Sequence, residues 1–502
     1  MPPTARTAAT TCPSTPGRTV TRARRLAAAA FRAAGRHGAD HTVVHFDTTA
    51  EETTRAAGPS SGHTRQERRE AGVRVYRDGA VGVAYGPADD ASGLAGLAER
   101  ACLLAQRSPG DKAPPHRPPE PTARTHRTPL AVDPAAVAVA EREELASEAA
   151  ARALAVPGCD HAEAELSVHR RTTHLLFADG GDLAKESVQS GGWVRATADG
   201  PSGPGIRTYP ERTGRHASAG WEHIAALRLP DGATTAAREA VLLSRARPCP
   251  EGAGPVVIDS SQLALQLHES VGHPLEEDRI LGWEADYAGG SFVTLQDVGH
   301  LAYGSEHVSV VADPTGTGAG ATPWDDEGTP TAAAPLIERG TLVGLLSSRT
   351  VAAASGRPLT AAGARAEGAA LPLVRMTNVN LLPGSGTEQD LLDTMGEGLL
   401  LTGNHSFSID DHREVFHFTC ELAWRIRGGQ RVEPLRGPRY HGRTLDFWRS
   451  CAHVAGPEAW TMHSVTFCMK GQPVQTARVG HGAAPALFSH VRYGSVQGGA
   501  PG

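Results

Sequence analysis

The run His268-Glu269-Ser270-Val271-Gly272-His273 brings two imidazoles and one carboxylate together, the parts from which proteins build hydrolytic metal sites. Zinc peptidases commonly place two histidines four residues apart, which puts both on one face of a helix. Here they are five apart. On an ideal helix they diverge by about 140°, so one ion reaches both only if the helix widens into an i→i+5 turn or ends between them. Gly272 permits unusual dihedrals beside the second histidine, and Pro274 pushes the residue before it away from helical geometry. His273 is therefore predicted where the helix comes apart. The approach to the motif reads as a strand at Val256-Val257-Ile258, N-cap candidates at Asp259, Ser260 and Ser261, and a core-facing stripe of Leu263, Leu267 and Val271. His268 lies beside that stripe, which suits a semi-buried neutral ligand.

A catalytic zinc takes three protein ligands and leaves a fourth position for water. Seven cysteines compete for the third place. Cys12 lies in a Pro/Thr-rich tail, Cys102 in an Ala/Leu helical run, and Cys159 and Cys249 border loops. Cys420 belongs to the alternating series Phe416, Phe418, Cys420, Leu422, Trp424 and Ile426, whose spacing predicts a core thiol on a half-buried strand; Cys451 is expected to pack as well. Cys468 differs. It ends an extended run and opens Cys468-Met469-Lys470-Gly471-Gln472-Pro473, a strand-to-turn junction with a cation two residues on that favours thiolate. It is the best ligand candidate, with His463, Cys451 and Cys420 as alternatives. His412, Tyr440 and Lys470 are candidates for oxyanion or substrate contacts.

Four motifs in order carry a resemblance: His268 to His273 with Pro274 to Asp278; Trp324-Asp325-Asp326-Glu327-Gly328-Thr329-Pro330 leading to Leu336 to Gly340; Arg375-Met376-Thr377-Asn378; and Cys468 to Pro473. Together they resemble the TldD/PmbA family of metallopeptidases, and Gly38 to His41 with Gly72 to Gly79 extend the likeness towards the N-terminus. The resemblance implies zinc held by His268, His273 and Cys468, with Glu269 catalytic as general base on the water that the metal activates. It also implies a TldD-type, zinc-bearing subunit that cleaves flexible or unfolded peptides and works as an oligomer, alone or with a motif-less PmbA/TldE-type paralogue. Where many relatives carry a Gly-Gly-Gln loop, this chain has Asn404 to His412, a departure that bears on substrate contacts and partner choice. Two other roles use the same motif: a tailoring hydrolase acting on an amide of a secondary metabolite, and a scaffold subunit with structural zinc.

The chain has 502 residues, 40% hydrophobic and 21% charged, enough to bury a sizeable core in two or three domains. A net charge of −6 argues against nucleic acid as a partner, despite the local cluster of Arg22, Arg24 and Arg25. Arg32 interrupts Leu26 to Phe31 before a signal-peptide core is reached, and no apolar run is long enough to span a membrane. The scattered, odd number of cysteines fits a reducing compartment. A cytoplasmic location is expected.

The elements that must position the motif read as an α+β protein. Residues 1–20 are expected as a disordered tail. A mixed helix and antiparallel-sheet domain follows over 21–250, then a β-rich catalytic domain over 251–502. Helix is predicted at Thr21 to Gly35 and Glu141 to Leu154, strand at Thr42 to Phe46, and a hairpin from Ala71 to Tyr85 turning at Asp78-Gly79. The Pro/Arg/Thr-rich stretch 107–134 reads as a linker or exposed excursion. Gly158-Cys159-Asp160-His161 echoes Gly38-Ala39-Asp40-His41, pointing to an internal repeat, although Gly-x-Asp also serves as an ordinary helix-to-strand turn. Strands are predicted at Val308 to Val311, Thr341 to Leu346, Glu414 to Ile426 and Met462 to Cys468.

Overall fold

The computed structural model describes residues 16–108 and 123–495. Of the tail expected over 1–20, residues 1–15 with Cys12 lie outside the described residues, as does the Pro114 to Pro121 run, whereas residues 16–20 are not a tail but the start of the first helix. The N-terminal half is a repeat. Helix α1 (Pro16–Arg36) leads to strands β1 (His41–Ala57), β2 (Ser60–Arg77) and β3 (Ala80–Gly86) and then helix α2 (Ala91–Arg107). After β4 (Ala123–Arg127), the same order recurs in α3 (Val139–Leu154), β5 (His161–Phe177), β6 (Asp182–Ala198) and β7 (Gly205–Tyr209), followed by β8 (Arg215–Ala217), α4 (Trp221–Ala226) and α5 (Leu229–Leu243). The two units meet along the antiparallel pair β1–β5, giving the order β3-β2-β1-β5-β6-β4, with β7 and β8 also on β6.

The echoed tetrapeptides do the same work in each copy. Gly38 and Gly158 take the left-handed φ values +74° and +88° that release the chain from its helix. The Asp40 and Asp160 carboxylates accept the backbone N–H groups of Asp78 and Asp199, at 2.8 and 2.7 Å, across the adjoining hairpin. Both copies bury alanine between helix and sheet: Ala27, Ala30, Ala33 and Ala34 in one, Ala146, Ala149, Ala150 and Ala153 in the other. Small side chains let helix and strand backbones approach closely, and a Cβ on Gly82 or Gly205 would meet a helix carbonyl at 2.0 or 2.1 Å.

Several elements differ from the sequence reading, among them the strand expected over Thr341 to Leu346, which stops at Leu342. β1 runs to Ala57, far past Phe46, because both neighbours pair with it along its length even where Thr, Glu and Arg replace apolar residues. Within the presumed linker, residues 123–127 form β4, parallel to β6; backbone pairing on an open sheet edge needs no apolar pattern. Asn404 to Ile409 lie in a strand, paired to Cys420 through Phe416.

The C-terminal half closes a barrel. After β9 (Arg247–Pro248), β10 (Gly252–Ile258) leads into α6 (Ser260–Leu267) and α7 (Glu277–Ile280). A small sheet follows, of β11 (Val310–Ala312), β12 (Ala334–Glu338) and β13 (Thr341–Leu342), with α8 (Arg349–Ser355) and the short pair β14 (Ala364–Arg365) and β15 (Leu373–Val374) beyond it; β16 (Val379–Leu381) completes that small sheet. Then come α9 (Glu388–Met395), β17 (Glu397–Ile409), β18 (Val415–Arg427), β19 (Gln430–Arg436), β20 (Pro438–Arg443), α10 (Thr444–Arg449), β21 (Cys451–Val454), β22 (Thr461–Lys470), β23 (Gln475–Ala483) and β24 (Ala486–Ser495). Strands β17, β10, β24, β20 and β18 pair in a ring, since β18 also pairs with β17. Phe416, Phe418, Tyr440, Trp448 and Phe488 fill it beside the α6 stripe. Cys420 is buried on β18 as the alternation predicts, but Glu421 on the opposite face is buried too, because Arg207 and Thr208 of β7 cover it. The fold is α+β throughout. No described helix is long and apolar enough to cross a membrane.

Candidate metal centre

The motif begins as an ordinary helix and then widens. The Asp259 carboxylate caps α6 by accepting the Gln262 N–H at 2.8 Å. From His268 to Gly272 the backbone is a π-turn, and the His273 N–H donates to the His268 carbonyl, an i→i+5 bond; a 3₁₀ turn follows from His273 to Leu275. The five-residue spacing thus coincides with the widened turn it requires. Gly272 is needed there, because a Cβ would sit 2.1 Å from the Met376 sulfur. The Arg375-to-Asn378 motif therefore supports the turn from behind.

His268, His273 and Cys468 are all buried, and one donor atom from each lies within 4.8 Å of the others. The two histidine rings stand edge to face, with centroids 4.7 Å apart. Cys468 comes from β22, where the pairing with β23 shifts register between Val465 and Cys468. Its Sγ is 3.6 Å from His273 Nε2. Ligands on tetrahedral zinc, with bonds of about 2.3 Å to sulfur and 2.0–2.1 Å to nitrogen, are separated by about that distance.

Second partners fix which nitrogen of each ring is free. Glu276 Oε2 accepts from His273 Nδ1 at 3.0 Å, which leaves Nε2 towards Cys468. His268 Nδ1 lies 2.7 Å from His481 Nε2, and His481 Nδ1 lies 3.0 Å from the Val379 carbonyl. A carbonyl only accepts, so His481 is protonated on Nδ1, its Nε2 accepts from His268, and the Nε2 lone pair of His268 is free for an ion. Burial holds all three imidazoles below their usual pKa, keeping them neutral.

The thiol is prepared as well. Burial alone would push the Cys468 pKa up, but Arg375 and then His273 outweigh it and the net shift is downward. The remaining described cysteines go the other way, Cys249 and Cys451 to about 12, because burial outweighs the cations and hydrogen bonds near them. Of the alternative ligands, His463 is taken by Glu211 Oε2 at 2.7 Å, and neither Cys420 nor Cys451 joins the donor cluster. The donor set and its spacing fit a zinc ion.

Glu269 is buried beside His268. Burial raises its pKa, partly offset by His268 and by Arg413, whose Nη1 lies 4.0 Å from Glu269 Oε2. Beneath the cluster, Lys470 Nζ contacts Asp278 Oδ1 at 2.7 Å, Glu276 Oε2 at 3.2 Å and the Val374 carbonyl at 2.9 Å, and is fully enclosed. Lys470 thus serves the support of His273 and makes no surface for substrate. Tyr440 is enclosed too, its hydroxyl shared between Gln262 and Gln266. The supporting residues Glu276, His481 and Arg375 escaped assignment from sequence, although Glu276 and Arg375 lie inside the motifs; only the fold turns them towards the donors.

Residues 251–491 match the family model of the PmbA/TldA metallopeptidase C-terminal domain. A metalloprotease of Methanocaldococcus jannaschii is 34% identical over 43% of this chain and 46% of its own length. A metalloprotease of Methanothermobacter thermautotrophicus is 27% identical over 84% of this chain and 88% of its own. A zinc metalloprotease TldD homolog of Saccharolobus solfataricus is 25% identical over 46% and 49%. The chain thus spans about half the length of the first and third of these relatives. Among solved structures, TldE from Thermococcus kodakarensis has the same fold, with a TM-score of 0.74 at 15% identity over 93% of this chain and 99% of that one. Residues 251–491 thus carry a C-terminal domain of the PmbA/TldD metallopeptidase family.

Proposed function

We propose that the chain is a zinc-dependent peptidase that hydrolyses amide bonds in flexible or unfolded peptides. The observation that carries this reading is the convergence of His268, His273 and Cys468 on one point, with their donor atoms within 4.8 Å of one another. These three would hold the ion. When bound, zinc supplies Lewis acidity towards a substrate carbonyl and lowers the pKa of water towards about 7.

The residues do the rest. Glu269 is held by burial at a raised pKa, which suits a group that takes a proton from the attacking water and returns it to the leaving nitrogen. Glu276 and His481 orient the two imidazoles, and Arg375 favours the thiolate. A scaffold with structural zinc would call for a fourth protein donor, and among the described residues the cluster has three. The division at about residue 250 into a first α/β unit and a catalytic unit belongs to this proposal. So does pairing with a TldE-like subunit, which the shared fold supports, and a cytoplasmic site of action.

Elemental analysis and cleavage of an unstructured peptide, before and after chelation, test it. About one zinc per chain is expected, with activity lost on chelation and restored by zinc; His273→Ala or Cys468→Ala should lose both the metal and turnover while staying folded. Full zinc content in Cys468→Ala would remove that ligand, and undiminished cleavage after complete metal removal would end the peptidase reading.

A further inference from the structure

Between the N-terminal sheet and the strands that carry Cys468 lies a cavity of about 440 Å³. Its charge is lopsided. Arg171 and Lys185 reach it from β5 and β6, Arg365 and Arg375 from β14 and the stretch after β15, and Arg478 from β23. Arg68 stands at its rim, and Glu51, Glu67 and Glu367 are its lining carboxylates.

Those carboxylates and their buried neighbours are largely committed. Glu67 is paired with Arg65 and Arg69. Glu367 lies 3.4 Å from Arg68 and accepts the Thr476 N–H at 2.5 Å. Asp47 takes Arg171 at 2.6 Å, and Asp326 stands 3.7 Å from both Arg171 and Lys185. Glu51, half-exposed, approaches Arg478 only to 3.8 Å. Arg365 and Arg375 form no ion pair among the described residues. They donate instead to carbonyls, Arg365 to Arg478 at 2.7 Å and Arg375 to Gln475 at 3.1 Å and to Cys468. Arg375 is 1% exposed, and its Nε has no acceptor.

The cations are also held in place. Asp325 Oδ2 accepts the Ala364 N–H at 3.2 Å and Asp326 Oδ2 the Ala366 N–H at 2.9 Å, so two carboxylates of the Trp324-to-Pro330 motif fix the backbone on either side of Arg365. Gln189 Oε1 accepts from Arg478 Nε at 2.7 Å. Enclosed cations without matching anions are costly, and fixed guanidinium groups bind carboxylates with good geometry. Burial lowers the pKa of Arg365 and Arg478 to about 10, which leaves both charged at neutral pH.

We propose that this cavity is an anion subsite that receives a carboxylate of the substrate beside the metal centre, either the C-terminal α-carboxylate of a peptide or the side chain of an Asp or Glu. Thr466 and Phe467 line it immediately before Cys468, and Arg375 links its wall to the Cys468 carbonyl. The identity of the ligand rests on the peptidase reading; the charge of the cavity does not.

The test uses fluorescein-labelled unstructured peptides of one sequence: free acid, C-terminal amide, and Glu→Gln versions of each. Binding is read by anisotropy on the full chain, with metal and after chelation, and cleavage is followed in parallel. Losing the preferred carboxylate should weaken binding roughly 10- to 100-fold, with and without metal, and the arm that responds identifies the source. Arg365→Gln and Arg478→Gln should each remove most of that preference, while the charge-retaining Arg478→Lys keeps part of it. Equal binding of acid and neutral peptides to the wild-type chain overturns the proposal without need of any variant. So does a preference that vanishes on chelation, since the metal then held the carboxylate. A preference that persists when no peptide is cleaved supports the subsite and overturns the peptidase reading alone.

Discussion

The two halves of the molecule bury different things. The N-terminal sheet is covered by helices whose inner faces are alanine, Ala27 to Ala34 and Ala146 to Ala153, and its geometry is set by how closely backbones approach. Around the donor cluster the C-terminal half instead encloses ions: Glu276, Asp278, Arg279, Arg375 and Lys470 are each at most 3% exposed. The first arrangement repeats because any closely packed helix and sheet will satisfy it. The second depends on its particular residues, because each charge is bearable only through specific partners. Energy spent on burying charge beneath His273 holds the donor side chains in fixed orientations; the repeat buries charge too, as in the Asp47–Arg171 and Glu52–Arg142 pairs, but none of it bears on the donors.

The largest break in this comparison is expected at Lys470. Lys470→Met strips Asp278 of its cation and leaves Glu276 with Arg279 at 3.5 Å, and removing one member of a buried ion cluster costs about 3–5 kcal/mol; chemical denaturation of the metal-free chain checks it. A loss below about 1 kcal/mol would show that the cluster behaves like a surface pair. In the repeat, Gly82→Val drives a side chain into the Ala101 carbonyl of α2 and should cost about 1–3 kcal/mol, with metal binding intact. If it abolishes metal binding, the two halves are more tightly joined than their separate cores indicate.

A smaller effect concerns pH. Burial lowers the pKa of His45 to about 4 and that of His216 well below its usual value. Asp325, which burial raises to about 7, opposes them, but at these two positions the unfolded chain binds more protons than the folded one below about pH 6.5, so their contribution to stability rises with pH through this window. It should be lost as pH falls from about 6.5 towards about 4. Melting of the metal-free chain across that range should show the decline, and His45→Gln should flatten it; an unchanged slope would assign the acid sensitivity elsewhere.

Much of this was legible in the residues. The His-to-His spacing demanded a widened or broken helix, and the π-turn supplies one. The tetrapeptides at Gly38 and Gly158 announced a repeat that the sheet displays. Cys468 stood out by its strand-to-turn position and the cation near it, although the cation that matters most is Arg375, 93 positions away, and Lys470 acts through Glu276. What stayed hidden was what distance in sequence conceals. His481 reaches His268 across 213 positions, and the cations of the cavity come from strands on both sides of the chain's midpoint. Periodicity reports which face is buried and says nothing of a charge buried among others. β4 escaped for the opposite reason: its pairing is made by backbone alone.

In the proposed peptidase, His268, His273 and Cys468 hold the ion while Glu269 moves the proton. The direct test is Glu269→Gln, with zinc content and cleavage of an unstructured peptide measured on the same sample. About one zinc per chain is expected, with turnover reduced roughly 10²- to 10⁴-fold, because the amide keeps the shape and cannot accept the proton. Near-wild-type turnover in a zinc-replete sample would contradict it.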